Sequence, residues 1–242
     1  MLIDSSAIVL RTYHYNDTTM VVVLFTEKMG TTSFLLRIPS KRKTSGRKKL
    51  FQPLSLLQVE WDHHDKQSLQ RLRQVQPQAA LSSLIDHPQK AAIALCLSDF
   101  LYYALRSEPS NASLFNYLAH ALHWLDLSTS YANFHLTFLL HLTQFLGLTP
   151  NLERYRPGLI FDMQNSTFTS AIPTHPYIIP AAEAAFIPLI LRMNYRNMHH
   201  YRFSRIQRAR VLQLIHDYYR LHLPDFPQLK SIQVLHDVFD WA

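Results

Sequence analysis

The sequence predicts an α+β fold: a small N-terminal β-barrel followed by an all-helical domain that carries a short β-hairpin insertion. Three observations predict it. Apolar residues alternate with a period of two as far as residue 76. From residue 78 the period becomes helical. Residues 148–180 then break the helical pattern with a Pro- and Thr-rich stretch. The domain division that follows is 1–77 and 78–242, with 148–180 as the irregular insertion.

The strands come first. AIVLRTYHY alternates, with Ile8 and Leu10 expected on the core side and Val9, Arg11 and Tyr13 on the other. MVVVLFT is a β-branched run expected to be buried on both faces. TTSFLLRI puts Thr32, Phe34, Leu36 and Ile38 on one face. Asn16-Asp17 and Met29-Gly30 read as turns. PLSLLQVEW and LQRLRQVQ complete five short strands in about 75 residues, the size of an OB-fold.

The helices follow. Pro88 suits a first turn, and Ile93, Leu97, Phe100, Leu101, Ala104 and Leu105 mark one stripe. A second helix is expected from about Ser113 to Leu127. A third, Tyr131–Leu146, is apolar nearly all round and belongs in the centre of a bundle, with Gly147 as its stop. GLIFDM and TFTSAI form a hairpin around Gln164-Asn165-Ser166. Pro188 starts or kinks a helix. The last long helix begins at Ser204, with Gln207 completing a capping box, and ends before Pro224; the tail adds a short helix.

Charge narrows the function. The 242 residues are 48% hydrophobic and carry a net charge of +7. Residues 1–80 hold 12 Lys and Arg against 6 Asp and Glu, whereas residues 81–242 hold 12 against 11. The surplus lies in RIPSKRKTSGRKKLFQP, where Arg37, Lys41, Arg42, Lys43, Arg47, Lys48 and Lys49 have no acidic neighbour. The bland reading is a solvated surface loop. The functional reading is a phosphate contact, because like charges repel until a polyanion neutralises them. Ser40, Thr44, Ser45 and Gly46 let the stretch follow a nucleic-acid backbone without reading bases. Arg11, Tyr13 and Arg37, expected opposite the barrel core, fit an OB-type pairing of cations with stacking aromatics; surface decoration is the alternative.

A second basic group, Arg192, Arg196, Arg202, Arg205, Arg208 and Arg210, contains no acid. It reads either as helix-surface charge paired with acids elsewhere or as a second anion or peptide site. On the last long helix Val211, Ile215, Tyr218, Tyr219 and His222 fall on the buried arc. Arg210, Gln213, Asp217 and Arg220 fall on the wet face, with Arg208 nearer the buried side.

Other chemistry finds little support. One cysteine, Cys96, excludes an intrachain disulfide and any cysteine-rich zinc site. Neither His120-x-x-His123 nor His199-His200 matches a metal motif, so no metal is expected. His135, His141, His216 and His222 sit on apolar helices and read as hydrogen-bonded structural residues. GxGxxG, GxxxxGK[ST] and GxSxG are absent, and four glycines cannot build a glycine-rich phosphate cradle. A non-enzymatic protein in the reducing cytoplasm, without membrane segments, is the expectation.

Tyr13, Asn16-Asp17, Leu24-Phe25-Thr26-Glu27 and Gly30, then the basic stretch with Gly46-Arg47 leading into Leu50-Phe51-Gln52-Pro53-Leu54-Ser55-Leu56-Leu57, resemble the RecO family of bacterial recombination mediators. The resemblance implies an OB-fold, a helical domain and a role in DNA repair and recombination by the RecF pathway, near the nucleoid. It implies binding of single- and double-stranded DNA, annealing of complementary strands, and engagement of the acidic C-terminal tail of single-stranded DNA-binding protein. It also implies partnership with RecR in loading RecA on gaps. A basic scaffold that grips acidic protein tails, with DNA contact incidental, is the rival. Many relatives carry a four-cysteine zinc site in the region matching 148–180. This sequence has no cysteine there, so no cofactor is carried over.

Overall fold

The computed structural model describes residues 1–16, 18–37 and 50–240. The chain divides into two compact units. One comprises the described residues of Met1–Leu127 with Gln233–Val238, the other those of Ser128–Ile232 with Phe239–Ala242.

The first unit is built on six strands: β1 (Leu2–Asn16), β2 (Thr19–Thr26), β3 (Gly30–Arg37), β4 (Leu56–Asp62), β5 (Leu69–Gln70) and β6 (Leu72–Pro77). Their order in the sheet is β5-β3-β2-β1-β4-β6. The stretch expected as one strand, LQRLRQVQ, is therefore two. β5 runs parallel to β3 at one edge, and β6 runs antiparallel to β4 at the other. Arg71 alone separates them in sequence, so the sheet must curl until its edges nearly meet. The result is an OB-like half-barrel.

The barrel interior holds Val9, Val22, Leu24, Phe34, Leu57 and Trp61 among others, with Phe34 edge-on to Trp61 at 5.3 Å. Each such fully buried side chain contributes about 1.5–3 kcal/mol. β2 is buried on both faces, as its β-branched run predicts. β1 departs from simple alternation. Val9 pairs with Leu24 but Arg11 pairs with Val23, so Leu10 is bulged out of register. Paired residues share a face. The bulge therefore puts Val9 inside, against the expectation, while Arg11 and Tyr13 still emerge on the outside.

Helices α1 (Ser82–Asp86), α2 (Pro88–Ala104) and α3 (Ala112–Leu127) also belong to this unit. The predicted stripe of α2 is buried throughout. Ser98 donates to the carbonyl of Leu10, and Phe115 of α3 stacks on Phe25 at 6.2 Å, so part of the sheet's outer face is covered. Gly30 has a φ of +67°, and a Cβ there would lie 2.3 Å from the Glu108 carbonyl oxygen. Only glycine suits that turn.

The second unit contains α4 (Phe134–Phe145), a three-stranded sheet of β7 (Ile160–Asp162), β8 (Thr167–Thr169) and β9 (Ile178–Ile179), then α5 (Ala181–Ala184), α6 (Phe186–Arg192) and α7 (Arg205–His222). α8 (Ser231–Asp240) closes the chain. The expected hairpin is β7–β8, and β9 adds a third strand beside β7. α4 is central and buried on nearly every side. Pro188 lies in the first turn of α6. The capping box forms as predicted: Gln207 N–H donates to Ser204 Oγ at 3.2 Å, and Ser204 N–H to Gln207 Oε1 at 2.8 Å. Val211, Ile215, Tyr218 and Tyr219 fill the buried arc of α7.

Candidate nucleic-acid interface

Helix α2 contacts β1 at Leu10 and Arg11. Beyond these residues, β1, β2 and β3 continue with Tyr13 opposite Val21, Val21 opposite Leu35, and Thr19 opposite Arg37. Tyr13, His14, Tyr15 and Arg37 are exposed. The tip of the β1–β2 hairpin is tied down by the Asn16 side chain, whose Oδ1 accepts from Thr18 N–H at 3.0 Å and Thr19 Oγ1–H at 2.7 Å. The sequence reading did not single out Tyr15. Its signal was the Tyr-His-Tyr run just before the turn.

Arg11 is not a free cation. Its Nη1 donates to the Tyr103 hydroxyl at 3.1 Å, and its guanidinium carbon lies 4.7 Å from the ring centre of Tyr102 and 5.8 Å from that of Tyr103. Burial works against the charge, but the Tyr103 hydrogen bond and nearby Asp99 outweigh it and raise the pKa. Tyr102 and Tyr103 meet edge to face at 4.8 Å. Neither tyrosine was picked out from sequence, because each lies some ninety residues from Arg11.

Arg37 is the last residue of β3. Of the seven-cation stretch it alone is described; Lys41, Arg42, Lys43, Arg47, Lys48 and Lys49 lie outside the described residues. Chain connectivity still starts that stretch at Arg37, on the same sheet face as Tyr13.

The second basic group separates into three kinds. Arg210 donates to both oxygens of Glu183, at 2.7 and 2.8 Å. Arg208 is half-buried and donates to the Phe203 carbonyl at 2.6 Å; burial, then the neighbouring Arg205 charge, lowers its pKa. Arg192, Arg196 and Arg202 are exposed and have no acidic partner among the described residues, and Arg205 is also exposed.

Two hollows stand out among the described residues. One of about 470 Å³ lies in the first unit, between Leu54–Leu57 and Leu81–Ile85. Its lining carries no titratable group, so it offers apolar contact and no acid–base chemistry. The other, in the second unit near Phe161, Phe186 and Tyr218, is about 30 Å³, room for a water rather than a side chain. No cluster of three or more His, Cys, Asp or Glu that could hold a metal occurs among the described residues. His120, His123, His199 and His200 are exposed, whereas His135 and His216 are buried. No described helix is long and apolar enough to cross a membrane.

Residues 1–80 match the family described as "Recombination protein O N terminal", and residues 86–231 the family described as "Recombination protein O C terminal". A protein of Phocaeicola vulgatus called "DNA repair protein RecO" is 45% identical over 240 residues. One of Bacteroides fragilis with the same name is 46% identical over 242 residues. Both alignments take in 99% of this chain and 100% of the relative. A third, from Flavobacterium psychrophilum, is 30% identical over 241 residues. With both halves matched and near-complete coverage of these relatives, the chain belongs to the RecO family.

Proposed function

We propose that this protein is a DNA-binding recombination mediator in DNA repair, without enzymatic activity of its own. The barrel, residues 1–77, is the nucleic-acid-binding domain, and residues 78–242 form the helical domain. The protein binds single- and double-stranded DNA and anneals complementary strands. It helps load RecA on gaps coated with single-stranded DNA-binding protein, together with RecR. One observation carries this reading: an outer sheet face bearing Arg11 and the exposed Tyr13 and Arg37 leads, at Arg37, straight into a sequence with six further cations and no acid. Neutralising the phosphates of two strands lowers their mutual repulsion and lets bases pair.

Single-strand binding then falls with salt at a slope of about −0.7 per phosphate, so four or five contacts give roughly −3. Replacing Lys41, Arg42, Lys43, Arg47, Lys48 and Lys49 by Gln flattens the slope and slows annealing without changing the circular dichroism spectrum. An unchanged slope would remove the basic stretch from the interface.

The acidic tail of single-stranded DNA-binding protein is assigned to the helical domain, with Arg192, Arg196, Arg202 and Arg205 as its cations. Their exposure on one stretch of chain supports this. A fluorescent acidic peptide titrated against the protein at about 150 mM salt, beside a labelled oligonucleotide, tests it. Tight peptide binding with negligible oligonucleotide binding would favour a scaffold over a mediator.

A further inference from the structure

We propose that Arg11 and Tyr13 clamp one unpaired base of a single DNA strand, and that Tyr102 and Tyr103 of α2 are positioning residues that hold Arg11 in the clamp. The proposal rests on the DNA-binding reading above and names the form of DNA that the outer sheet face takes.

The spacing comes from the strand. Arg11 and Tyr13 pair with Val23 and Val21 and so share the outer face. Two residues of an antiparallel strand span about 6.8 Å. Stacked bases are about 3.4 Å apart, so two flat groups at that spacing leave room for one base between them. A guanidinium is flat and delocalised and stacks on π-faces much as an aromatic ring does.

A surface arginine normally samples many rotamers, which would spoil such a clamp. Here the Tyr103 hydroxyl and the Tyr102 ring fix the guanidinium, and the two rings brace each other. That ordering is complete before any ligand arrives, so binding does not have to supply it. Tyr13 is 45% exposed, so its side chain is accessible to a ligand. Arg37 stands two strands away on the same face, able to meet a phosphate. Bases inside a duplex are already covered on both faces, so the clamp selects unpaired strand.

The test uses the full-length protein and an oligo-dT carrying one 2-aminopurine, whose fluorescence is quenched by stacking. Four proteins are compared: wild type, Tyr13→Leu, Tyr102→Leu and Tyr103→Phe. The readouts are quench at saturation, affinity across a salt series, duplex affinity and melting temperature. Tyr13→Leu should lose the quench and about 10-fold in single-strand affinity. Its salt slope and melting temperature should match wild type, and any loss of duplex affinity should be much smaller than the single-strand loss. Tyr103→Phe and Tyr102→Leu should reduce the quench per bound strand. If those two variants lower only the melting temperature, they merely fasten α2, and the positioning role is overturned. If wild type binds with steep salt dependence but Tyr13→Leu keeps its quench and affinity, the clamp falls and the DNA-binding reading stands. If wild type binds no oligonucleotide, both fall.

Discussion

Arg210 of α7 holds Glu183 of α5 through two parallel hydrogen bonds, Nε to Oε1 at 2.7 Å and Nη2 to Oε2 at 2.8 Å. The Arg210 hydrogen bond is the main reason the Glu183 carboxyl titrates below its ordinary value. Arg208 and Arg210 of the second basic group thus have partners within the unit. Arg210→Gln should leave acidic-peptide affinity unchanged and cost no more than about 1 kcal/mol of stability, because the pair is partly exposed. Changing Arg196 and Arg202 together to Gln should weaken the peptide several-fold. Fluorescence anisotropy with the same peptide separates the two variants.

Gly30 sits where the β2–β3 turn touches the chain after α2. Thr31 strengthens the contact, its hydroxyl donating to the Leu105 carbonyl at 2.6 Å. Gly30→Ala meets both an unfavourable φ and the Glu108 carbonyl. The expected loss is about 3 kcal/mol, read from urea unfolding.

Asp162 gives the small sheet its acid sensitivity. Burial pushes its pKa up. The Asn165 side chain and N–H, the charge of His175, and the Gln164 N–H together outweigh burial and bring it below the ordinary value. A carboxyl with a folded pKa below its unfolded value of about 3.9 stabilises the protein fully above that pH. The contribution disappears as pH falls through the folded value. Asp162→Asn should flatten this part of the stability profile below about pH 4, measured by thermal melts across pH.

Lys90 shows the same sign for the opposite reason, since burial disfavours its charge. It is buried, and its ammonium donates to Ser83 Oγ and the Asp126 carbonyl, both at 2.8 Å. Burial lowers its pKa, against the pull of Asp126. Between the folded value and the unfolded one of about 10.4 the unfolded chain binds more protons, so stability rises with pH there. Lys90→Ala should remove that alkaline rise and cost about 2 kcal/mol at neutral pH, by leaving the Asp126 carbonyl and Ser83 without their donor. Urea melts at pH 7 and pH 10 check both.

Local features were legible in the sequence. The period-two runs became strands, the all-apolar helix became the centre of its unit, and Ser204-x-x-Gln207 became a capping box, because each depends on residues within a turn or two. Features set by distant contacts were not legible. The bulge at Leu10 follows from pairing with β2, and nothing in AIVLRTYHY marks it. The alternation of LQRLRQVQ runs on through Arg71, although its two halves pair with strands at opposite edges. In the candidate interface, Arg11 and Tyr13 emerged on the outer face as expected, but for a reason the alternation did not contain. The tyrosines that hold Arg11, and the glutamate that holds Arg210, became visible only through tertiary contacts.

The short span from Leu69 to Pro77 acts as a zip for the whole sheet. Until it has been synthesised, β3 and β4 each present a bare row of backbone donors and acceptors, the kind of edge that recruits stray strands. Because a chain emerges N-terminus first, the nascent barrel must remain open until its last nine residues arrive. A fragment ending at residue 68 would therefore be prone to self-association, whereas one carried through Pro77 has β6 paired along β4 and β5 paired along part of β3.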